Sequence, residues 1–234
     1  MNEMTATALN YGIFRKNEFT DTPRIVVFID VGHCKTSVSV VSFTTDKLVV
    51  LGQAHDRHLG GRDFDWRVME YFANEFEKKY KLNPLTDAGP KAKLKLLNGI
   101  ERLRKELSAN LESSINIEYL VEDYDLQSSF KREQMEMLCQ DLFDGFAPIL
   151  DSALQQAGVT SVDFAEIVGG CTLMPSIQAK LTEKLGIELS KTLHVDESVA
   201  RGAAVQAAMI SPLYKVKDFA VQDVTMYPIG YNCC

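Results

Sequence analysis

The chain has 234 residues and a formal net charge of −7, and this length accommodates one domain or two small ones with a substantial apolar core. The acidic balance and the scattered Lys and Arg residues argue against nucleic acid or a membrane surface as a partner, because both require clustered positive charge. The five cysteines include no Cys-x-x-Cys pair, and the sequence shows no apolar run long enough to span a bilayer and no leader pattern. We therefore expect a soluble intracellular protein of a reducing compartment.

The first part of the chain predicts one helix and an antiparallel meander. The small residues of "MNEMTATALNYG" predict a helix that ends at Gly12. Three β-branched runs separated by polar turns predict the strands of the meander, at about 24–31, 36–44 and 47–53. The stretch "VVFIDVGHCKTSVSVV" is therefore a hairpin, with Asp30 and Gly32 at the end of its first strand.

Two amphipathic helices are predicted next. The first follows Gly60 and Gly61, whose missing side chains allow another backbone segment to approach closely. The second runs from Lys91 to Asn110 and carries a polar stripe, which consists of Glu101, Arg104, Lys105 and Ser108. Such a stripe could hold a ribose and an adenine edge, but in isolation it is better explained as a solvated face with i,i+3 and i,i+4 ion pairs.

The sequence that follows predicts a second hairpin and more helix. The hairpin is expected at about 115–127. A long helical segment is expected from Ser129 to Gly158, with a bend near Gly145 and Pro148 because proline and glycine interrupt helices.

The last third of the chain places a glycine turn between a strand and a helix. In "FAEIVGGCTLMPSIQAKLTEKLG" the turn at Gly169 and Gly170 is followed by a helix with Pro175 in its first turn. This arrangement either binds a phosphate at the helix N-terminus or is a tight turn without a ligand, and the dipeptide alone favours the second interpretation. A final helix is predicted to be capped by Asp196, and the segment 212–234 is predicted to be extended.

A few other polar residues invite chemical interpretations. Asp30 either holds a magnesium-bound water or is simply a turn-forming aspartate. His55 and His58 have the spacing of a metal pair, but no third ligand is evident, so we predict no metal-ligating residues. Cys34 and Cys171 are expected to pack as small side chains, because neither has a nearby base in the sequence.

Four segments, taken in order, resemble the actin-like ATPase domain of the 70-kDa heat-shock protein superfamily. "MNEMTATALNYGIF" is similar to the family's "NEPTAAALAYG", and "HLGGRDFD" to its "HLGGEDFD". "IVGGCTLMPSIQ" is similar to "VGGSTRIPKVQ", and "VDESVARGAAVQAA" to "PDEAVAYGAAVQAA". The stretches "RIVVFIDVGH", "KKYKLN" and "SPLYKVKDFAVQDV" resemble the 110-kDa (large) heat-shock proteins, which act as nucleotide-exchange factors for their 70-kDa relatives.

The resemblance implies an α/β fold of the actin-like, ribonuclease H-like type, with a smaller inserted α+β subdomain at about 60–138. It covers the second lobe of the nucleotide-binding domain, residues 1–211, while 212–234 corresponds to a linker and the first strand of a substrate-binding domain. Nothing in these residues corresponds to the phosphate loop and catalytic lysine of the family's first lobe. We therefore expect half of an ATPase, either as a truncated product or as a stand-alone lobe.

The resemblance also implies a place at the nucleotide cleft for particular residues. The implied adenosine contacts are Glu101, Arg104, Lys105 and Ser108, of which Arg104 and Lys105 exchange the family's usual Lys-Arg order. The remaining implied positions are Gly61 at the cleft, Gly169 and Gly170 at the phosphate turn, Asp196 near magnesium-linked water, and Asp30 with Gly32 at a degenerate catalytic hairpin. The implied cofactor is ATP or ADP with Mg²⁺, bound indirectly and weakly by one lobe.

Departures from the family pattern concentrate at the γ-phosphate side. Where the family has a Gly-Gly-Gly-Thr turn, this chain has Gly32, His33, Cys34 and Lys35, so side chains replace a bare backbone and an ammonium replaces a hydroxyl. Leu173 replaces the arginine that stacks on adenine, which removes a cation–π contact of roughly 1 kcal/mol. We therefore expect weak nucleotide binding and little hydrolysis.

Three functional hypotheses follow. The first is a lobe of a large heat-shock exchange factor that acts on a 70-kDa chaperone, with unfolded proteins as clients of the full-length family, in the cytoplasm or also in the nucleus. The second is an active ATPase or small-molecule kinase with Asp30 as its catalytic carboxylate. The third is a truncated module that binds no nucleotide.

Overall fold

A computed structural model describes residues 1–214, 216, 219–225 and 230–231. The strands in these residues are β1 (Arg24–Val31), β2 (Thr36–Phe43), β3 (Lys47–Asp56), β4 (Glu112–Val121), β5 (Tyr124–Lys131), β6 (Phe164–Val168), β7 (Leu189–Ser190) and β8 (Ala220–Gln222). The helices are α1 (Glu3–Phe14), α2 (Gly61–Tyr80), α3 (Pro90–Ala109), α4 (Arg132–Leu138), α5 (Gln140–Asp144), α6 (Phe146–Ala157), α7 (Pro175–Leu185) and α8 (Ser198–Ile210). Part of the predicted extended segment 212–234 lies outside the described residues.

A six-stranded mixed sheet has the order β7-β6-β1-β2-β3-β8. β1, β2 and β3 are antiparallel neighbours, which confirms the predicted meander. β6 is parallel to β1, with Val168 opposite Asp30, so both strands end at the same edge of the sheet. β8 is parallel to β3, and residues 220–222 therefore belong to this sheet.

Apolar residues of β1 alternate between two cores on opposite faces of the sheet. Val27 and Ile29 face a core that also contains buried side chains of α2, α3, α6 and α7. Val26 and Phe28 face a second core, formed mainly with α1. A strand that is buried on both faces belongs at the centre of a sheet, and β1 accordingly lies between β6 and β2.

The ends of α1 and α8 differ from the prediction. α1 continues past Gly12 to Phe14. Gly12 is needed for packing instead, because a Cβ there would lie 2.6 Å from the Phe43 ring. Asp196 does not cap α8, which begins two residues later; the N–H of Ser198 bonds to the carbonyl of His194 and closes a turn ahead of the helix.

The segment from Ser129 to Gly158 is not one bent helix. Ser129 lies in β5, where it pairs with Ser114 of β4, so strand pairing overrides the helical pattern at this end. Helix then forms in three pieces, α4, α5 and α6, which are separated at Cys139 and Gly145. The expected interruption at Gly145 is therefore present, whereas Pro148 lies in the first turn of α6, where its missing N–H costs little.

The segment from α2 to β5 consists of the helices α2 and α3 and a separate two-stranded sheet, β4-β5. The predicted hairpin is therefore present and extends beyond 115–127 on both sides. Within the described ranges, none of the helices combines the length and apolar character that crossing a bilayer requires.

Candidate functional site

A cleft of about 660 Å³ opens at the carboxyl ends of β1 and β6, with α3 as its opposite wall. All the residues predicted at a nucleotide site line it except Gly61: Asp30, Gly32, Glu101, Arg104, Lys105, Ser108, Gly169, Gly170 and Asp196. The rest of its lining consists of His33, Cys171, Leu173, Val195 and Val199. The carboxyl ends of strands are a favoured place for ligands in open α/β sheets.

The double glycine lies beneath the β1–β2 turn. The N–H of Gly61 donates to the carbonyl oxygen of Gly32 across 3.0 Å. A Cβ on Gly60 would lie 2.6 Å from the carbonyl oxygen of His33, and a Cβ on Gly61 would lie 2.6 Å from Sγ of Cys171. The predicted close backbone approach is thus confirmed. Gly61 supports the wall of the cleft from behind instead of lining it.

The turn after β6 admits only glycine at its first position. Gly169 has a φ of 86°, and a Cβ there would lie 2.6 Å from the carbonyl oxygen of Val31 and would also meet the Asp30 carboxylate. Its N–H donates to the carbonyl oxygen of Val195 across 3.1 Å. A 3₁₀ segment, Gly170–Leu173, separates the turn from Pro175 at the start of α7. The turn and the N-terminus of α7 are therefore separate features, and Pro175 lies in the first turn of α7 as predicted.

Asp30 carries a perturbed carboxyl group at the edge of the cleft. Burial raises its pKa to about 6, and the neighbouring Glu3 adds to the rise while Lys35 opposes it. Desolvation dominates because the carboxylate loses water without a hydrogen-bonded cation to replace it. A carboxyl group with this pKa can exchange a proton near neutral pH.

The α3 stripe consists of two different kinds of residue. Glu101 and Lys105 form an i,i+4 ion pair of 2.7 Å at the surface of the cleft, and hydrogen bonding to Lys105 lowers the pKa of Glu101. Oγ of Ser108 donates to the carbonyl oxygen of Arg104 across 3.1 Å. The ion pair expected for a solvated helix face is therefore present, yet this face borders a cleft.

Arg104 differs from the rest of the stripe because it is buried, with 6% of its surface exposed. Its Nε donates to Oδ1 of the fully buried Asp65 across 2.6 Å, and Nη2 donates to Oδ2 across 3.2 Å. Nη1 lies 3.7 Å from Sγ of Cys171. The guanidinium thus joins α2 to α3 behind the cleft wall, which the sequence did not predict because Asp65 lies one whole helix earlier in the chain.

Two cysteines near the cleft have different environments. Cys171 is buried, as expected, and burial raises the pKa of its thiol although Arg104 opposes the rise. Cys34 is exposed at the β1–β2 turn, so the expectation that it packs is wrong. The tight turn that ends β1 holds Cys34 away from both cores.

Lys35 and Glu3 form an ion pair that the sequence did not predict, because nothing local connects the two positions. Lys35 follows the β1–β2 turn and Glu3 begins α1, and both line a cavity of about 340 Å³. The structure describes no group of three or more His, Cys, Asp or Glu side chains that could hold a metal ion. The residues around Asp30 therefore do not fit a protein-held Mg²⁺ site.

Sequence comparisons identify the family to which the chain is similar. The family described as Hsp70 protein matches residues 1–233. A heat shock protein homolog of Saccharomyces cerevisiae is 39% identical over 236 residues, which cover 99% of this chain and 34% of that protein. Heat shock 70 kDa protein 16 of Arabidopsis thaliana is 40% identical and heat shock protein 88 of Dictyostelium discoideum 42% identical, each over 99% of this chain and 30% of the relative.

The chain thus spans about a third of the length of these curated relatives. The matched family covers nearly all of the chain, and the mixed sheet and the separate two-stranded sheet agree with the predicted α/β class. The chain belongs to the Hsp70 family, and its fold is the actin-like ATPase fold predicted from its motifs.

Proposed function

We propose that this chain is the second lobe of an actin-like nucleotide-binding domain and that its cleft binds an adenosine nucleotide. In this proposal residues 1–211 form the lobe, with the inserted subdomain at about 60–138, and 212–234 form a linker, of which residues 220–222 pair with β3, and the first strand of a substrate-binding domain. The observation that supports this proposal is the cleft, which is lined by residues from β1, α3 and the β6–α7 turn. Family membership supports it, since the Hsp70 family generally binds ATP or ADP with Mg²⁺.

Each wall of the cleft has chemistry suited to one part of a nucleotide. Glu101, Lys105 and Ser108 present charges and a hydroxyl to the cleft, which could hydrogen-bond a ribose. Leu173, which is 53% exposed, offers apolar surface to a base in place of a cation. Gly170, where an added Cβ would meet no other atom within 4 Å, leaves room for a phosphate to approach the backbone of the turn.

A titration with fluorescent ADP tests this proposal. Lys105→Ala should weaken binding about three- to tenfold, since it removes a charge that borders the cleft. Arg102→Ala is the matched control, because Arg102 has an equivalent i,i+4 carboxylate partner in Glu106 on the same helix but lies outside the cleft. Equal affinities of the two variants would remove α3 from the binding site, and no binding by the native chain would favour a module without nucleotide.

We further propose that the complete protein is a chaperone of the heat-shock type that promotes nucleotide exchange on a 70-kDa partner in the cytoplasm, with the nucleus as a second compartment. Unfolded proteins would be its clients. Support comes from the names of the relatives and from the resemblance of three stretches to the large heat-shock branch. The side of the cleft toward α3 keeps its polar residues, whereas His33 and Lys35 alter the γ-phosphate turn, which favours binding over hydrolysis.

The exchange role is tested on a 70-kDa chaperone that carries labelled nucleotide. The chain should accelerate release of the label, and Lys105→Ala should reduce that acceleration at nucleotide concentrations near the Kd. If the native chain does not accelerate release of the label, even when a first lobe is supplied separately, the exchange role is excluded. Retained nucleotide binding in that case would leave the first proposal intact.

Hydrolysis is a second candidate function, and the observation that favours it is Asp30. This carboxyl group faces the cleft and has a pKa of about 6, which suits a general base. A sensitive phosphate-release assay on the native chain and on Asp30→Asn separates the candidates. Turnover that the substitution abolishes would establish an ATPase, and turnover that persists in Asp30→Asn would indicate a contaminant.

A further inference from the structure

We propose that a cavity beside the end of α1 binds a small organic carboxylate that also carries hydroxyl groups. The cavity has a volume of about 650 Å³, and residues from α1, from the segment 192–194 and from the first turn of α8 contribute to its wall. Among the described residues, none lines both this cavity and the nucleotide cleft. The inference therefore goes beyond the proposed function.

Asn10 of α1 has a buried amide group whose hydrogen bonding is incomplete. The residue lines the cavity although only 4% of its surface is exposed, and its Oδ1 has no hydrogen-bond partner in the described part of the chain. A buried polar atom without a partner destabilises the folded state. A hydroxyl group can both donate to an amide and accept from it. A hydroxylated ligand therefore supplies what this carboxamide lacks.

Arg15 holds a fixed positive charge in the same wall. Its Nη2 donates to Oγ1 of Thr192 across 2.6 Å, its Nη1 donates to the carbonyl oxygen of Tyr11 across 3.3 Å, and its guanidinium lies 4.1 Å from the centroid of the Tyr11 ring. Among the residues that the structure describes, no carboxylate forms an ion pair with it. A guanidinium that neutral groups hold in place can bind an oxyanion with little further loss of side-chain entropy. We therefore expect the anionic group of the ligand at Arg15.

Two carboxylates limit the charge of the ligand. Arg201 lines the cavity from α8, but its Nε and Nη2 already donate to Oε2 of Glu197 across 2.9 and 2.6 Å. Glu18 also lines the cavity. A polyanion would be repelled by Glu18, whereas a single carboxylate can meet Arg15 while its hydroxyl groups donate to Glu18. These charges favour a hydroxylated monoanion over a nucleotide or inorganic phosphate.

Saturation-transfer NMR on the full chain tests the ligand class with three six-carbon probes. Gluconate carries a carboxylate and hydroxyl groups, hexanoate carries only the carboxylate, and glucose carries only hydroxyl groups. Gluconate should bind about tenfold more tightly than either of the other two, since each of them lacks one kind of interaction. Equally tight binding of hexanoate, glucose or inorganic phosphate would overturn the ligand class, and gluconate that does not bind would overturn the site.

Substitution of Arg15 shows whether gluconate binds in this cavity. Arg15→Gln should weaken the binding about tenfold, because it removes the charge that meets the carboxylate. Arg24→Gln is the matched control, since the guanidinium of Arg24 also lies over an aromatic ring, that of Phe164, but Arg24 does not line the cavity. Equal gluconate affinities of the two variants would contradict the assignment of Arg15.

Asn10→Leu adds a readout that does not depend on the ligand. It should abolish the preference for gluconate over hexanoate and raise the urea midpoint of the ligand-free chain, because an apolar side chain of similar shape leaves no buried amide without a partner. Lys105→Ala should bind gluconate as the native chain does, since Lys105 lines the nucleotide cleft instead. Loss of gluconate binding in Lys105→Ala would place the ligand in that cleft and refute the inference, as would an unchanged preference for gluconate in Asn10→Leu.

Discussion

Replacing Asp30 by Asn should stabilise the protein at neutral pH. The folded state raises the pKa of this carboxyl group from 3.8 to about 6, because burial disfavours the charged form. At 1.36 kcal/mol per pKa unit, this difference corresponds to at most about 3 kcal/mol of unfolding free energy. Ionised Asp30 therefore destabilises the folded state. Asn cannot ionise, and its side chain keeps the shape of the aspartate.

The contribution of Asp30 to the unfolding free energy depends on pH. Between pH 3.8 and about 6 the folded state binds more protons at Asp30 than the unfolded state, so stability falls as the pH rises through this window. The proton-linked stability is fully present below pH 3.8 and is lost above about 6. Asp30→Asn should therefore gain about 2–3 kcal/mol over the native chain at pH 7.5 and little at pH 4.

Urea denaturation at several pH values, followed by circular dichroism, measures this difference. Asp123→Asn, which removes an exposed carboxylate from the β4–β5 turn, serves as the control and should change stability little at either pH. A gain for Asp30→Asn that is the same at pH 4 and pH 7.5 would refute the reasoning, because an effect without pH dependence does not come from the carboxyl proton.

Three further predictions concern the framework around the cleft. Asp65→Asn should lower the unfolding free energy by about 3–5 kcal/mol, since it leaves the buried guanidinium of Arg104 without its countercharge, and adding Arg104→Met should recover much of the loss in urea titrations. Gly169→Ala should cost about 2–4 kcal/mol in the same assay because it combines a φ of 86° with contact to strand β1; a loss below about 1 kcal/mol would show that the turn can move. Maleimide labelling mapped by mass spectrometry should modify Cys34 rapidly and Cys171 only on unfolding, and equal rates in the folded protein would contradict the burial of Cys171.

Local patterns in the sequence predicted much of the architecture. The β-branched runs of β1 and β2 form strands wherever they are placed near an apolar surface, and the short polar turn between them leaves only a hairpin. Glycine at position 169 was identifiable as a tight turn because few other residues adopt a positive φ. The residues that line the cleft were predicted from motifs that resemble those of the family. Composition and periodicity do not indicate that these residues lie close together.

Local patterns failed where a distant partner decides the outcome. Ser129 pairs with β4 instead of starting a helix, because backbone hydrogen bonds to a neighbouring strand outweigh a weak helical preference. Asp196 has the right chemistry for a cap but lies one residue before the N-cap position, since the His194–Ser198 turn sets where α8 begins. Errors of this size at helix ends arise because the first turn has few hydrogen bonds of its own to define it.

The sequence by itself determined the strands of the meander and the turns, since these depend on side-chain periodicity and on glycine and proline within a few residues, and its resemblance to the family's motifs predicted the class of fold. Only the tertiary structure decided which charges meet. Arg104 turns inward to Asp65, and Lys35, which follows the β1–β2 turn, reaches Glu3 at the start of α1. Both pairs are formed by residues on different elements, whose approach depends on how the helices pack on the sheet. The position of these ion pairs is therefore a property of the packed lobe and not of any one motif.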